Sequence, residues 1–198
     1  MEPQLPAISI QTLTGPAIQP YLPELARLRI KIFKEFPYLY AGSLDYEQRY
    51  LTTYLAADGA AIIIAKAGDK IIGASTCLPL ASETPNIQKP FLDQGMDVTR
   101  IMYFGESVLE PAYRGEGIGV KFFAAREAHA KNFSLATFCA VNRPAGHPAR
   151  PANYVPLDNF WHKRGFTKQA HLTCEMDWTD IGHTTQTTKT LTFWTKPL

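Results

Sequence analysis

Cysteine is scarce in this chain. Three occur in 198 residues, Cys77, Cys139 and Cys174, widely spaced and without a CxxC. An odd number at such spacings argues against a disulfide framework and against a thiolate zinc site. The thiols read as reduced and buried, as in a cytoplasmic protein. Neither sign of charge is in surplus. Twenty Lys and Arg face 18 Asp and Glu, a formal net charge of +2, which supplies no clustered basic field for nucleic acid or an acidic membrane. No apolar run approaches the ~20 residues that span a bilayer. The opening Met1-Glu2-Pro3-Gln4 has no basic n-region and no apolar h-region, so no signal peptide is expected. His129, His147, His162, His171 and His183 fall in no HExxH or Cys/His cluster, so no metal is expected. Ser107 lies in Gly105-Glu106-Ser107-Val108-Leu109, which is not the GxSxG of a nucleophile elbow.

What is present is an ordinary globular composition, 45% hydrophobic and 19% charged. The length suits one domain over 1–198, with 1–6 as a flexible N-terminus. Alternation or continuous apolarity predicts strands at 8–13, 60–65, 70–78, 100–109, 134–141, 167–178 and 188–195. Helical spacing predicts helices over 20–36, 45–57, 119–132 and 157–164, with a short one near 88–94 inside a Pro-rich loop. Residues 142–156 form a long irregular loop rich in proline. Leaving that short helix aside, the order is β-α-α-β-β-β-α-β-α-β-β. It points to the α/β (α+β) class, with one mixed sheet and helices on its faces.

The informative segment runs Pro111-Ala112-Tyr113-Arg114-Gly115-Glu116-Gly117-Ile118-Gly119, between a strand and a helix. Glycines at alternating positions let a ligand approach the backbone. The helix start adds free N–H groups and the positive end of its dipole, so the physical expectation is an anion site, a phosphate first of all. The spacing fits neither GxGxxG nor GxxxxGK[ST], and a ligand-free glycine turn is the alternative.

This segment resembles the pyrophosphate signature of the GNAT superfamily of acyl-CoA-dependent N-acyltransferases. Phe160-Trp161-His162-Lys163-Arg164-Gly165-Phe166 resembles that family's aromatic pair followed by Gly-Phe. The element order fits the family from about residue 7 onward. The resemblance implies a GNAT-like domain with a central twisted mixed sheet of about seven strands, flanked by helices on both faces. It implies acetyl-CoA (coenzyme A) as acyl donor, held by backbone groups of Arg114, Gly115, Glu116, Gly117, Ile118 and Gly119. Val108 and Leu109 would pair with the pantetheine arm, and Asn142 would supply a polar contact.

The chemistry needs a free amine, hence a base. Glu106 is the candidate, on a strand face shared with Met102, Phe104 and Val108, where apolar neighbours would raise its pKa; a salt-bridged strand-end glutamate is the alternative. The family's usual tyrosine acid is replaced by Trp161, whose indole is no practical acid. Tyr154 and His162 are the candidate substitutes, Tyr154 the favoured one, against packing roles for both or no acid at all. The resemblance places the acceptor pocket at the first two helices, where Phe33, Phe36, Tyr38 and Tyr40 offer aromatic faces to an amine cation; a core role is the alternative. The 142–156 loop can act as a lid or as the contact of a homodimer, and Arg143 and Arg150 could meet a carboxylate or a CoA phosphate. The expected activity is direct acetyl transfer to a primary amine of a small molecule. The alternatives are a catalytically silent acyl-CoA sensor and a protein or peptide N-acetyltransferase.

Overall fold

The computed structural model describes residues 7–198, so the expected flexible segment 1–6 lies outside the described residues. The strands are β1 (Ile8–Leu13), β2 (Ala61–Ala67), β3 (Lys70–Pro79), β4 (Ile101–Leu109), β5 (Leu135–Val141), β6 (Thr167–Thr179) and β7 (Gln186–Pro197). The helices are α1 (Leu22–Phe33), α2 (Leu44–Leu51), α3 (Thr53–Ala56), α4 (Pro85–Asp93), α5 (Ile118–His129) and α6 (Asp158–Lys163). The strands form one sheet in the order β1-β2-β3-β4-β5-β7-β6. Among the described residues, only the β4–β5 pair is parallel.

Both faces of the sheet are covered, which is why β2 is continuously apolar from Ala61 to Ala65 rather than alternating. Ile62 and Ile64 pack towards α1–α4, together with Leu25, Leu51, Tyr54 and Phe91. Ala61 and Ile63 point the other way, towards Phe122 and Phe123 of α5 and the α6 aromatics Phe160 and Trp161.

Two expected helices are interrupted. The 20–36 helix starts only at Leu22, preceded by a 3-10 segment Gly15–Tyr21 that contains Pro20. Pro23 lies in the first turn of α1, where a missing N–H costs nothing. The 45–57 helix divides into α2 and α3 at Thr52, whose hydroxyl donates back to the Arg49 carbonyl at 2.6 Å. Such a side-chain bond competes with helix continuation.

A register shift in β4 changes the reading of Glu106. Ser107 pairs with Ser75 and Phe104 with Cys77, so Gly105 and Glu106 together oppose Thr76. One extra residue reverses the faces beyond it. Met102 and Phe104 face α5, whereas Val108 faces the α1 side with Tyr103. Glu106 therefore leaves the expected company of Met102 and Phe104 and meets Arg29 of α1 instead. Gly105 permits the bulge, because a Cβ there would collide with the Thr76 hydroxyl and the Tyr54 phenol. The Glu106 N–H donates to Thr76 Oγ1 at 3.1 Å.

Candidate active site

The parallel β4–β5 ladder joins Ile101 to Leu135, Met102 to Ala136 and Tyr103 to Thr137, and then stops. Both strands continue, β4 against β3 as far as Leu109 and β5 against β7 as far as Val141. Their facing edges diverge, leaving backbone N–H and C=O groups without a strand partner between them. Buried groups of this kind need a partner from solvent or ligand. The opening is part of a cleft of about 1010 Å³, bounded by β4, β5, the glycine turn, the end of α1 and the 142–156 loop.

The glycine turn stands over the wide end of this cleft. Gly117 is the N-cap of α5 with φ 73°, and Gly115 has φ 87°. Both angles are left-handed, where other residues are strained. A Cβ at either position would meet nothing within 4 Å, so the turn faces open space. No acidic side chain occupies the first turn of α5 and no side chain caps it. The first N–H groups of α5 are thus available to an anion. Gly119 has a different reason to be glycine. A Cβ there would lie 3.2 Å from the Phe160 ring, so α6 packs directly on α5 at this point.

The cation and carboxylate network at Glu106 is nearly closed to solvent. Arg29 ion-pairs with both Glu47 and Glu106, and the three side chains are buried. Burial would lower the pKa of Arg29, but Glu106, Tyr50 and Glu47 outweigh it and hold the pKa well above the ordinary value. Tyr50 donates its hydroxyl to Glu106 Oε2 at 3.3 Å. The neighbours of Glu106 are thus a guanidinium and a phenol, not the apolar set expected from alternation.

Tyr154 borders the cleft, edge-on to Phe36 with ring centroids 4.7 Å apart and with the Arg150 guanidinium 5.0 Å from its centroid. Burial raises its pKa above 10.0 even though Arg150 pulls the other way. Its phenol therefore keeps its proton at neutral pH. Trp161 meets Phe138 and Trp194 at 5.0 Å each, as part of the aromatic core under the cleft.

The other expected residues divide. Phe33, Phe36 and Tyr38 border the cleft, whereas Tyr40 does not and pairs with Asp180 away from it. Leu109 borders the cleft, and the Val108 side chain is buried on the α1 side, leaving only its backbone for a ligand. The Arg114 guanidinium does not point to open space. It donates to the Leu109 carbonyl at 3.2 Å and to Glu35 at 2.9 Å. Ile118 is buried, and the Glu116 side chain is exposed and not on the cleft wall. Asn142 is at the cleft edge, but its amide exchanges hydrogen bonds with the Thr192 hydroxyl at 2.9 and 3.1 Å. Arg143 is fully engaged. It grips Asp180 through two bonds of 2.9 Å and donates to the Pro37 and Tyr38 carbonyls at 2.8 Å. It is an anchor for the loop rather than a free ligand for carboxylate or phosphate.

Among the buried cations that escaped the sequence reading are Arg29 and Arg126 of the helices. The signal was present: Arg29 interrupts the apolar stripe between Leu25 and Phe33, and Arg126 follows Phe122 and Phe123 at helical spacing. Among the described residues no group of His, Cys, Asp and Glu is placed to hold a metal, and no helix is long and apolar enough to cross a membrane.

No protein-family model matches the sequence, and no curated protein matches it. Solved structures do match. The yncA protein of Salmonella typhimurium, solved with its cofactor acetyl-CoA, aligns at TM-score 0.62 and 12% identity, covering 97% of this chain and 94% of its own. A ribosomal-protein-alanine N-acetyltransferase from Brucella melitensis aligns at 0.62 and 16%, covering 96% and 99%. A GNAT-family acetyltransferase from Streptococcus pneumoniae aligns at 0.55 and 11%, covering 97% and 100%. At these identities the likeness speaks for architecture. With its split sheet and its glycine turn at the head of α5, the protein has the fold of the GNAT acetyltransferases.

Proposed function

We propose that this protein transfers an acetyl group from acetyl-CoA directly to a primary amine of a small molecule. The observation that carries the reading is the alignment of two features: the unpaired edge of β4 leads up to a left-handed glycine turn at an α-helix start. A pantetheine arm is a chain of amides and suits the first; a pyrophosphate suits the second. The neighbour solved with acetyl-CoA supports the same donor.

In this reading the N–H groups around Gly115–Gly119 hold the pyrophosphate. Backbone groups of Val108 and Leu109 align the pantetheine, and Asn142, once released from Thr192, meets its far side. The thioester carbon then lies beside the β4 bulge. A β4 N–H stabilises the tetrahedral oxyanion. The acceptor enters past Phe33, Phe36 and Tyr38. Glu106, fixed by Arg29 and Tyr50, accepts the amine proton directly or through water. The amine nitrogen forms a bond to the acyl carbon, the C–S bond breaks with its electron pair going to sulfur, and Tyr154 protonates the thiolate.

The deciding experiment follows release of the CoA thiol from acetyl-CoA against a panel of small amines and a panel of peptides. Turnover with a small amine is expected. Turnover confined to peptides would replace the acceptor class. Tight CoA binding with no turnover on either panel would establish a sensor instead of an enzyme.

A further inference from the structure

Arg126 on α5 is only 2% exposed, and its Nε has no hydrogen-bond partner among the described residues. It takes part in none of the ion pairs among the described residues. The carboxylates around it are committed elsewhere, Glu106 to Arg29 and Glu127 to Lys196. Its guanidinium rests 4.4 Å from the Phe104 ring centroid and 4.5 Å from that of Phe123. Cation–π contacts offset part of the cost of burial, but an isolated buried cation still favours an anion or a strong acceptor beside it. Burial lowers its pKa to about 10, so the charge persists at neutral pH.

Its position gives this charge a meaning. Arg126 borders the cleft. It follows Gly117 by nine residues, about 13 Å along the helix, which carries it away from the phosphate turn. Phe104, against which it lies, is the first β4 residue beyond the last β4–β5 pair, Tyr103 with Thr137. The guanidinium therefore stands at the closed end of the opening. A thioester beside the β4 bulge, with its pantetheine along Val108 and Leu109, would send its acyl chain in that direction.

We infer that the closed end of the cleft receives the free carboxylate of a short dicarboxylic acyl group, so that acyl donors include CoA monothioesters of dicarboxylic acids as well as acetyl-CoA. The inference rests on the proposed acyltransferase reading. The transfer step is the same. The amine nitrogen bonds to the thioester carbon, the C–S bond breaks with its pair on sulfur, and one amine proton leaves. The distal carboxylate is unchanged and keeps its pair with Arg126. Phe104, Phe123 and Phe138 exclude water around it, which strengthens a charge-assisted hydrogen bond.

The test is calorimetric binding without any amine, using acetyl-, butyryl-, malonyl-, succinyl- and glutaryl-CoA. The wild-type protein is expected to bind at least one of the three dicarboxylic thioesters about tenfold or more tightly than butyryl-CoA. Arg126→Met should erase that preference while acetyl-CoA affinity stays the same, and Arg126→Lys should keep part of it. Equal wild-type affinity for butyryl-CoA and all three dicarboxylic thioesters overturns the inference, and this comparison needs no variant to fold. A preference that survives in Arg126→Met overturns it too. So does an equal loss of acetyl-CoA binding in that variant, because the guanidinium would then serve the pantetheine. If acetyl-CoA itself does not bind the wild type, the acyltransferase reading fails and this inference falls with it. If acetyl-CoA binds without any carboxylate preference, only this inference fails.

Discussion

Arg29 of α1 reaches across to Glu106 of β4 and holds it in a buried ion pair, with Glu47 on the same guanidinium. Removing one partner of such a pair leaves uncompensated charge in a low dielectric. Arg29→Met should destabilise the fold by about 3–5 kcal/mol. Denaturant unfolding reads this directly. Adding Glu47→Gln should recover part of the loss. A cost of under about 1 kcal/mol, the range of exposed pairs, would mean that the network is solvated.

Glu106→Gln keeps the shape and removes the proton acceptor. The rate should fall about 10²- to 10⁴-fold, with CoA affinity unchanged. Steady-state kinetics and calorimetry together check both halves. An unaltered rate and pH profile would reduce Glu106 to a structural ion-pair partner.

Tyr154 has its pKa raised by burial, with Arg150 opposing. The protonated phenol is the active form, so its contribution is present at neutral pH and is lost only above pH 10.0. Any alkaline limb due to it should thus lie beyond that value and vanish in Tyr154→Phe. A limb that persists unchanged in the variant assigns the proton to another group.

Gly117→Val puts a side chain into the open space over the helix start and forces φ 73° on a branched residue. The conformational penalty is about 1–2 kcal/mol, which a folded domain should survive. CoA binding should be abolished. Undiminished affinity would refute the phosphate turn.

Asp180 anchors the 142–156 loop through Arg143 and is also paired with Lys189 of β7. Burial would raise its pKa, but the hydrogen bonds from these two cations hold it below 3.8. Its stabilising contribution is therefore present above pH 3.8 and is lost as pH falls through the lower folded value. Acid unfolding of Asp180→Asn should lack that component. Superimposable acid limbs in the two proteins would contradict the anchor.

The local features were legible in the sequence and the relational ones were not. The glycine turn could be read because left-handed φ at Gly115 and Gly117 and a helix start are short-range requirements. The α6 motif was readable for the same reason. The face of Glu106 could not be, because the bulge depends on Thr76 of the neighbouring strand. Nor could the Arg29 network, which joins α1, α2 and β4. Tyr40 has the same residue type and spacing as its cleft-lining neighbours, and only its bridge to Asp180 separates it from them. Arg143 looked like a free cation because its partners lie in distant segments.

The short β4–β5 ladder has a mechanical consequence. Strands β1–β4 form one plate and β5–β7–β6 form another, and backbone hydrogen bonds join them along a seam of three residue pairs. Side chains add further links: the Tyr103 hydroxyl meets the Cys139 sulfur at 3.2 Å, and Phe104 on one plate meets Phe123 and Phe166, whose rings meet Phe138 on the other. Beyond the three ladder pairs, the gap between the plates is thus set by side-chain packing, the stacked rings above all, and not by a ladder that allows only one spacing. Repacking a single ring should adjust the bore of the opening while both plates stay intact.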